Sequence, residues 1–537
     1  MSPSDLPDES QAPLLAGNQE HDGVGATERE YGTATASAPP STLEQGTFAR
    51  NLGTIEAFGI IISIVIGSGV FTSPGAIDTN VPSPGVSLLI WLIGGVLAWT
   101  GASTLAELGT AIPGEGGIQP YLQYIFGNVF GFLAAWTWIV AVMPATLAIL
   151  SIVFIETIYT AAGITDQAAT LGHKILSVFV IFAITIANSL STKASTRLNN
   201  FFVVTKFVGI LVVAIAGLAV VILHLADPER KVGGPDWFNK PWFKYRNSAN
   251  SDGSETDWSR LSHWEILGHL SAALYAALWA YSGWDKAIYI SAELSNPVRQ
   301  LPLAISTAIP TIILSFLAAN AAYYVLLPWS VVATTDSVAV TSITRLLGST
   351  FGSLTAGLIC LVIAGSLLGN SFVASRMTVA AGNKKWLPDV FTVIGRVGTR
   401  SSIPDETASA AGDDNDDEAS ELPKPDASDA PINALLLSAV LSSLYILFGD
   451  FRSLLTFNGL GEYTFFFLTV VGVIVLRIRE PGLRRPYKPH VAVPAVFAVV
   501  SGFVVVRGAA FAPVQAGVLV AVWGLGLLFY LARRWWF

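Results

Sequence analysis

The stretch "SIVIGSGVFTSPG", residues 63–75, interrupts an apolar run that begins near Leu52. Gly67, Gly69, Gly75 and Pro74 cluster where a bilayer-crossing helix wants helix formers. In an exposed helix interior each Gly costs about 1 kcal/mol and a Pro about 3. In hydrocarbon an unwound backbone group without a partner costs several kcal/mol, so irregular backbone survives only where it lines a cavity. A second stretch echoes the first: "LYAALWAYSGWDKAIYISAELSNP", residues 274–297, is apolar but broken midway at Ser282, Gly283 and Asp285.

The surroundings of these breaks are those of a membrane protein. The chain has 537 residues, 52% hydrophobic and 13% charged, with a mean hydropathy of +0.57. Runs of roughly 20 apolar residues mark transmembrane helices. Twelve such spans are read at 52–78, 85–111, 127–160, 173–191, 197–224, 264–293, 302–328, 351–381, 432–449, 453–477, 490–506 and 513–532. The third is long and holds Pro144, which predicts a kink or a strong tilt.

The net charge of −8 conceals a basic body. Residues 1–49 carry −7 and residues 401–431 carry −9, which leaves +8 for the rest. Both acidic segments are polar and low in complexity and are read as disordered tethers, the first a terminal tail, the second a loop after span 8. The basic residues sit at span ends, so no nucleic-acid partner is implied. Lys193 and Arg197, then Arg376, Lys384 and Lys385, then Arg477, Arg479, Arg484, Arg485 and Lys488, and finally Arg533 and Arg534 fall on one side if the span count is even. That places both termini in the cytoplasm. The loop 225–263, rich in Trp and polar residues, falls outside despite six Lys and Arg, and is read as a folded extracellular loop. Cys360, the single cysteine, lies inside an apolar run, so no internal disulfide forms.

Spans 1 and 6 are the first members of two sets of five, about 52–224 and 264–477, with two extra helices at 490–532. Five is odd, so the second set inserts upside down. Broken helices at matching places of inverted halves point to a substrate site at mid-membrane. Where span 1 unwinds at Gly67-Ser68-Gly69, the next half-helix offers free N–H groups and a positive dipole end, suited to a carboxylate. Where span 6 unwinds from Trp279 through Ala280 to Gly283, free carbonyls suit an ammonium. Together they fit the zwitterionic head of an α-amino acid. The competing reading is that the glycines serve only close helix packing.

"IGSGVFTSPG" at 66–75, "AELGTAIPGEGG" at 106–117, "WAYSGWD" at 279–285 and "NPVRQLPLAI" at 296–305, in that order, resemble the amino acid–polyamine–organocation superfamily, and within it the L-type amino acid transporter family. The resemblance covers about 50–535 and implies an all-α polytopic membrane protein of 12 transmembrane helices, a 5+5 inverted repeat with helices 1 and 6 broken. It implies that Gly67, Ser68 and Gly69 hold the substrate carboxylate, and that the carbonyls of Val65, Trp279 and Ser282 take the amine. Trp279 would also close over the substrate, its alternative role being helix or lipid packing. Lys206, within "NNFFVVTKFVGILVV" at 199–213, stands where the family's lysine replaces a sodium ion and ties span 5 to the break in span 1. This implies sodium independence, by exchange or by proton coupling; the alternative is a lysine snorkelling to the interface. Glu107 would brace the inner gate or simply sit at the interface. Asp285 would order the unwound segment, or meet a cationic substrate. Glu293 is read as structural, Glu462 as facing a wet cavity or packing, and Asn370 as a helix–helix hydrogen bond.

Two departures from the family matter. Mammalian L-type members link to a heavy chain through a cysteine before span 4, and "AAGITDQAATLGH" at 161–173 has none, so no disulfide-linked heavy chain is expected. The long acidic loop and tail look like those of a fungal permease and would suit ubiquitin-ligase adaptors. "ESQAPLL" at 9–15 resembles a dileucine signal with its acid one place too far away, which leaves a vacuolar membrane as the alternative to the plasma membrane. No phosphate-binding loop, metal-ligand spacing or nucleophile motif is present, so neither cofactor nor enzymatic chemistry is expected. The expected activity is secondary transport of neutral, large L-amino acids. A cationic amino acid or polyamine permease and a non-transporting sensor are the alternatives.

Overall fold

The computed structural model describes residues 53–112, 117–164, 170–190, 192–230, 232–249, 254–286, 288, 294–335, 337–393 and 430–533. The terminal tail, nearly all of the acidic loop, Glu293 and the side chains of Lys193 and Arg197 lie outside them.

The first span is two helices, α1 (Thr54–Val65) and α2 (Gly69–Asp78). Span 2 is α3 (Pro84–Ala111), opened by Ser83, whose hydroxyl accepts from the Val86 N–H. A short helix, α4 (Ile118–Phe126), precedes span 3, which comprises α5 (Asn128–Thr137), a π-helical turn at Trp138–Val142 and α6 (Met143–Ala161). Spans 4 and 5 are α7 (Leu171–Leu190) and α8 (Thr192–Ala226). The following loop holds a helical turn, α9 (Asp236–Asn239), and a two-residue antiparallel pairing of Ser248–Ala249 with Glu255–Thr256. Span 6 starts as α10 (His263–Ala280), fixed by a reciprocal cap between Ser262 and Glu265. Then come α11 (Pro297–Leu326), two short helices α12 (Trp329–Thr334) and α13 (Val338–Leu347), α14 (Ser349–Asn383), α15 (Ile432–Phe448), α16 (Phe451–Arg479), α17 (Ala492–Phe511) and α18 (Pro513–Ala532).

Nine of these helical spans are long and apolar enough to cross a bilayer. The two interrupted spans and the 17-residue α15 bring the total to the twelve expected. The regular helix of span 6 stops at Ala280, where the sequence places the break.

The inverted repeat is visible in the packing. Exchanging each span for the one five places on maps the contacts onto themselves. α1 packs on α11 as α10 packs on α3, and α8 on α11 as α16 on α3. Likewise α6 meets α15 as α14 meets α7, and α3–α11 and α6–α14 are the self-paired central contacts. The joints repeat too: α4 turns into span 3 at Gly127 (φ 96°, ψ 174°), and α13 turns into span 8 at Gly348 (φ 94°, ψ 171°). That backbone region is open essentially to glycine alone, so the same residue makes the same corner in each half.

Span 3 lies at the centre, with 89% of its apolar window buried, whereas α18 is peripheral with 11% buried. On α8, Leu211, Ile215, Leu218 and Ile222 point outward at helical spacing, while Ile210, Val213 and Val220 face the bundle. Such an outward stripe is a lipid-facing surface. The break in span 3 has a local cause. Pro144 has no N–H to give the Val140 carbonyl, and the Tyr445 hydroxyl from α15 donates to it instead, at 3.2 Å. The distortion is thus a π-helical turn just before the proline, with its orphaned acceptor satisfied from a neighbouring span.

Candidate functional site

The helix α1 ends because Gly67 and the residues beside it leave the helical path. The Ile66 N–H still donates to the Ile62 carbonyl, and the next turn restarts with Phe71 N–H on the Ser68 carbonyl, both at 2.9 Å. Between them the N–H groups of Gly67, Ser68, Gly69 and Val70 have no backbone acceptor among the described residues. The Ser68 hydroxyl does not cap α2. A run of bare donors therefore stands at the positive end of a ten-residue helix.

Span 6 comes apart in the complementary way. The Tyr281 N–H reaches Ala277 and the Ser282 N–H turns back to Trp279, at 3.1 and 3.0 Å. Gly283 takes φ 104°, a conformation that needs glycine, and a tight turn follows in which Lys286 N–H donates to the Gly283 carbonyl. The carbonyls of Val65, Ala280 and Ser282 receive no backbone donor among the described residues. The Trp279 carbonyl accepts from the Ser282 N–H and keeps a second lone pair.

The two breaks meet. A Cβ on Gly69 would overlap the backbone of Ala280, so this glycine is a packing residue that lets α2 and α10 touch. Gly67 is different: the nearest atom to a Cβ there is Ser366 Oγ at 3.5 Å, across an open space. Gly69 thus fits the packing reading, whereas packing does not require glycine at Gly67. That space is a cleft with about 360 Å³ of empty volume, part of it open to solvent. Val65, Gly67, Ser68, Gly69, Trp279, Ala280 and Ser282 border it, as do Thr146 and Leu150 of α6, Ser366 and Asn370 of α14, and Lys286.

Gly283 and Asp285 do not border the cleft. Gly283 shapes the turn, and Asp285, 4% exposed, lies beside the positive charge of Lys286 and close to the backbone N–H groups of its own turn. The ordering role expected for Asp285 fits this geometry, and contact with a ligand does not. Lys206 on α8 is buried and lies near enough to Lys286 for their charges to interact. Glu462 is buried too, within electrostatic reach of Asp285 and Lys286. Asn370 bonds the broken segment and not another helix: it accepts from Lys286 Nζ at 2.8 Å while its amide donates to the Ser366 carbonyl of its own helix.

Lys286 is the site residue that the sequence did not reveal. The tight turn there sends the adjacent side chains of Asp285 and Lys286 to different sides, Lys286 to the cleft and Asp285 away from it. The available signal was a lysine inside an apolar span, immediately after the break. Thr146 was equally hidden; its hydroxyl reaches Asn458 Oδ1 of α16 at 3.4 Å.

Two buried ion clusters flank the cleft at opposite ends of the bundle. Glu107 at the end of α3 is bound through both oxygens by Arg477, with Arg485 Nε 3.2 Å away, and Arg477 also donates to the Pro489 carbonyl. Glu107 is thus a buried brace between α3 and the end of α16. At the far end, Asp78 accepts from Arg246 at 2.6 Å on each oxygen and from the Tyr324 hydroxyl at 2.5 Å. Arg246 belongs to the loop between α8 and α10, and its N–H donates to the Pro82 carbonyl.

Residues 52–529 match the family model described as amino acid permease. The chain is 29% identical to the human b(0,+)-type amino acid transporter 1, over 94% of this chain and 91% of that one. It is 26% identical to the human large neutral amino acids transporter small subunit 2, over 95% and 86% of the two chains. The human cystine/glutamate transporter is 27% identical, over 89% and 84%. The family match spans both broken helices and all twelve spans, and the chain belongs to the amino acid permease family of the amino acid–polyamine–organocation superfamily.

Proposed function

We propose that this chain is a sodium-independent secondary transporter of L-α-amino acids that works by alternating access. The observation that carries the reading is the meeting of two broken spans on one cleft, bare N–H groups from Gly67 to Val70 facing bare carbonyls at Val65, Ala280 and Ser282. Main-chain donors at a helix start hold the α-carboxylate, and main-chain acceptors hold the α-ammonium. Trp279 borders the cleft from span 6 and closes over the ligand. Lys206 supplies a fixed positive charge near the breaks, in place of a coupling sodium ion. The Glu107 and Asp78 clusters close the two ends in turn.

Of the named relatives, one is named for large neutral amino acids, one for cystine and glutamate, and one as an amino acid transporter of b(0,+) type. Neutral amino acids are the first substrates to test. A cationic substrate is disfavoured because the bordering charged side chain is Lys286, while Asp285 faces its own turn. With Cys360 in α14 as the only thiol, the protein needs no disulfide-linked heavy chain. It sits in the plasma membrane with both termini cytoplasmic and the long acidic segments available to ubiquitin-ligase adaptors; the vacuolar membrane is the alternative.

The test is uptake of a panel of labelled amino acids into proteoliposomes of the purified full chain, with and without internal substrate, sodium and a pH gradient. Saturable, sodium-insensitive uptake of at least one amino acid is expected. Binding without flux would make the chain a sensor, and neither binding nor flux for any amino acid would end the proposal.

A further inference from the structure

The cleft holds one formal charge, and nothing in the zwitterion reading uses it. Lys286 borders the same space as Gly67 and Ser68, on the side formed by Ser366 and Asn370 of α14. An ammonium carries three donors. One goes to Asn370 Oδ1 at 2.8 Å, and no other acceptor for Lys286 Nζ occurs among the described residues. Asn370 is itself fixed, its amide spent on the Ser366 carbonyl at 2.9 Å. The neighbouring carboxylate of Asp285 is close to the backbone N–H groups of its own turn and does not border the cleft. Asp285 and Glu462 offset the charge of Lys286 through space, but neither carboxylate borders the cleft, so the ammonium is the charged group that a ligand there meets.

We propose that Lys286, oriented by Asn370, is the specificity-determining residue of the cleft and receives the side-chain carboxylate of an acidic amino acid. The assignment rests on the transport reading for the α-amino and α-carboxylate groups and adds the side-chain class. A carboxylate entering here completes the donor set of Lys286, whereas an arginine or lysine side chain meets a like charge in a site of low dielectric. An amide of the same shape makes a weaker, uncharged contact. Glutamate and glutamine therefore separate the charge from the shape.

The experiment measures competition by L-glutamate, L-glutamine and L-arginine against the best labelled neutral substrate in proteoliposomes. Thermal stabilisation of the detergent-solubilised chain by the same three amino acids reads binding without flux. Wild type is expected to prefer glutamate over glutamine by about tenfold or more, with arginine weakest. Lys286→Gln should erase that preference, Lys286→Arg should keep most of it, and Lys286→Glu should raise arginine above glutamate. The readout is a ratio within each variant, so a general loss of affinity does not mimic the result. If Lys286→Gln does not fold, the wild-type ratio and Lys286→Arg still decide. A wild-type protein that carries or binds neutral amino acids without favouring glutamate overturns this assignment alone. Absence of any amino acid flux or binding overturns the transport reading as well.

Discussion

Replacing Glu107 by glutamine should unfasten one end of the cleft. In the structure its carboxylate is 1% exposed and is shared by Arg477 and Arg485, whose side chains are 10% and 5% exposed. Removing one member of a buried ion pair costs about 3–5 kcal/mol, because the surviving charge loses its partner. Both arginines keep other acceptors, Arg477 the Pro489 carbonyl and Arg485 the carbonyls of Leu476, Glu480 and Leu483. The cost therefore belongs at the low end, about 3 kcal/mol. Glu107 and Arg477 sit on different spans and must separate when that end opens, so the penalty falls on the closed state alone. At 1.4 kcal/mol per decade this raises the open population about 100-fold. The assay is labelling of Thr146→Cys, a cleft residue, by a membrane-impermeant maleimide applied from the Glu107 side, in a Cys360→Ala background. The rate should climb toward that factor in Glu107→Gln. A folded Glu107→Gln protein labelled at the parental rate would refute the idea that this brace gates the cleft.

The opposite end allows the mirror experiment: Asp78→Asn removes the negative charge shared by Arg246 and Tyr324 and turns one of its two acceptor oxygens into a donor, and the same cysteine should label faster from the other face, with no gain from the Glu107 side. Gly67→Val should abolish uptake while the protein still reaches the membrane, since its side chain enters open cleft. Gly69→Ala should lower thermal stability in detergent as well, since its Cβ meets Ala280 backbone; equal stability of the two would contradict the separate roles given to them. Lys206→Ala should lose uptake or change its dependence on pH, and unchanged transport across pH would remove Lys206 from the mechanism. Tyr445→Phe removes the hydroxyl that donates to the Val140 carbonyl and should destabilise the fold by about 1–3 kcal/mol, read as a lowered melting temperature.

Composition and apolar runs were enough to reach twelve spans, and the spacing of Gly67, Gly69 and Gly283 was enough to find where two of them break. These signals are legible because hydrocarbon tolerates so few backbone solutions. What stayed hidden depends on distance in space. Asp78 and Arg246 are 168 residues apart and Glu107 and Arg477 are 370 apart, so no local pattern announces either pair. Lys286 went unnoticed because its partner Asn370 is 84 residues away, so no local pattern announces the contact. The amphipathic helices α4 and α13 escaped a search tuned to long apolar runs, although their flanking glycines repeat. Gly69 shows the limit in the other direction: it was found, but its job of admitting Ala280 could be assigned only with the partner in view.

The attachment of Arg246 to Asp78 has a practical consequence. The segment between α8 and α10 has exposed residues, and through Arg246 it is fastened to Asp78 at the end of α2, the second half of the first span. An antibody fragment that stiffened that segment would stall turnover while leaving the ligand pocket untouched. Its inhibition would not be relieved by adding more amino acid, which would distinguish it from any blocker shaped like the cargo.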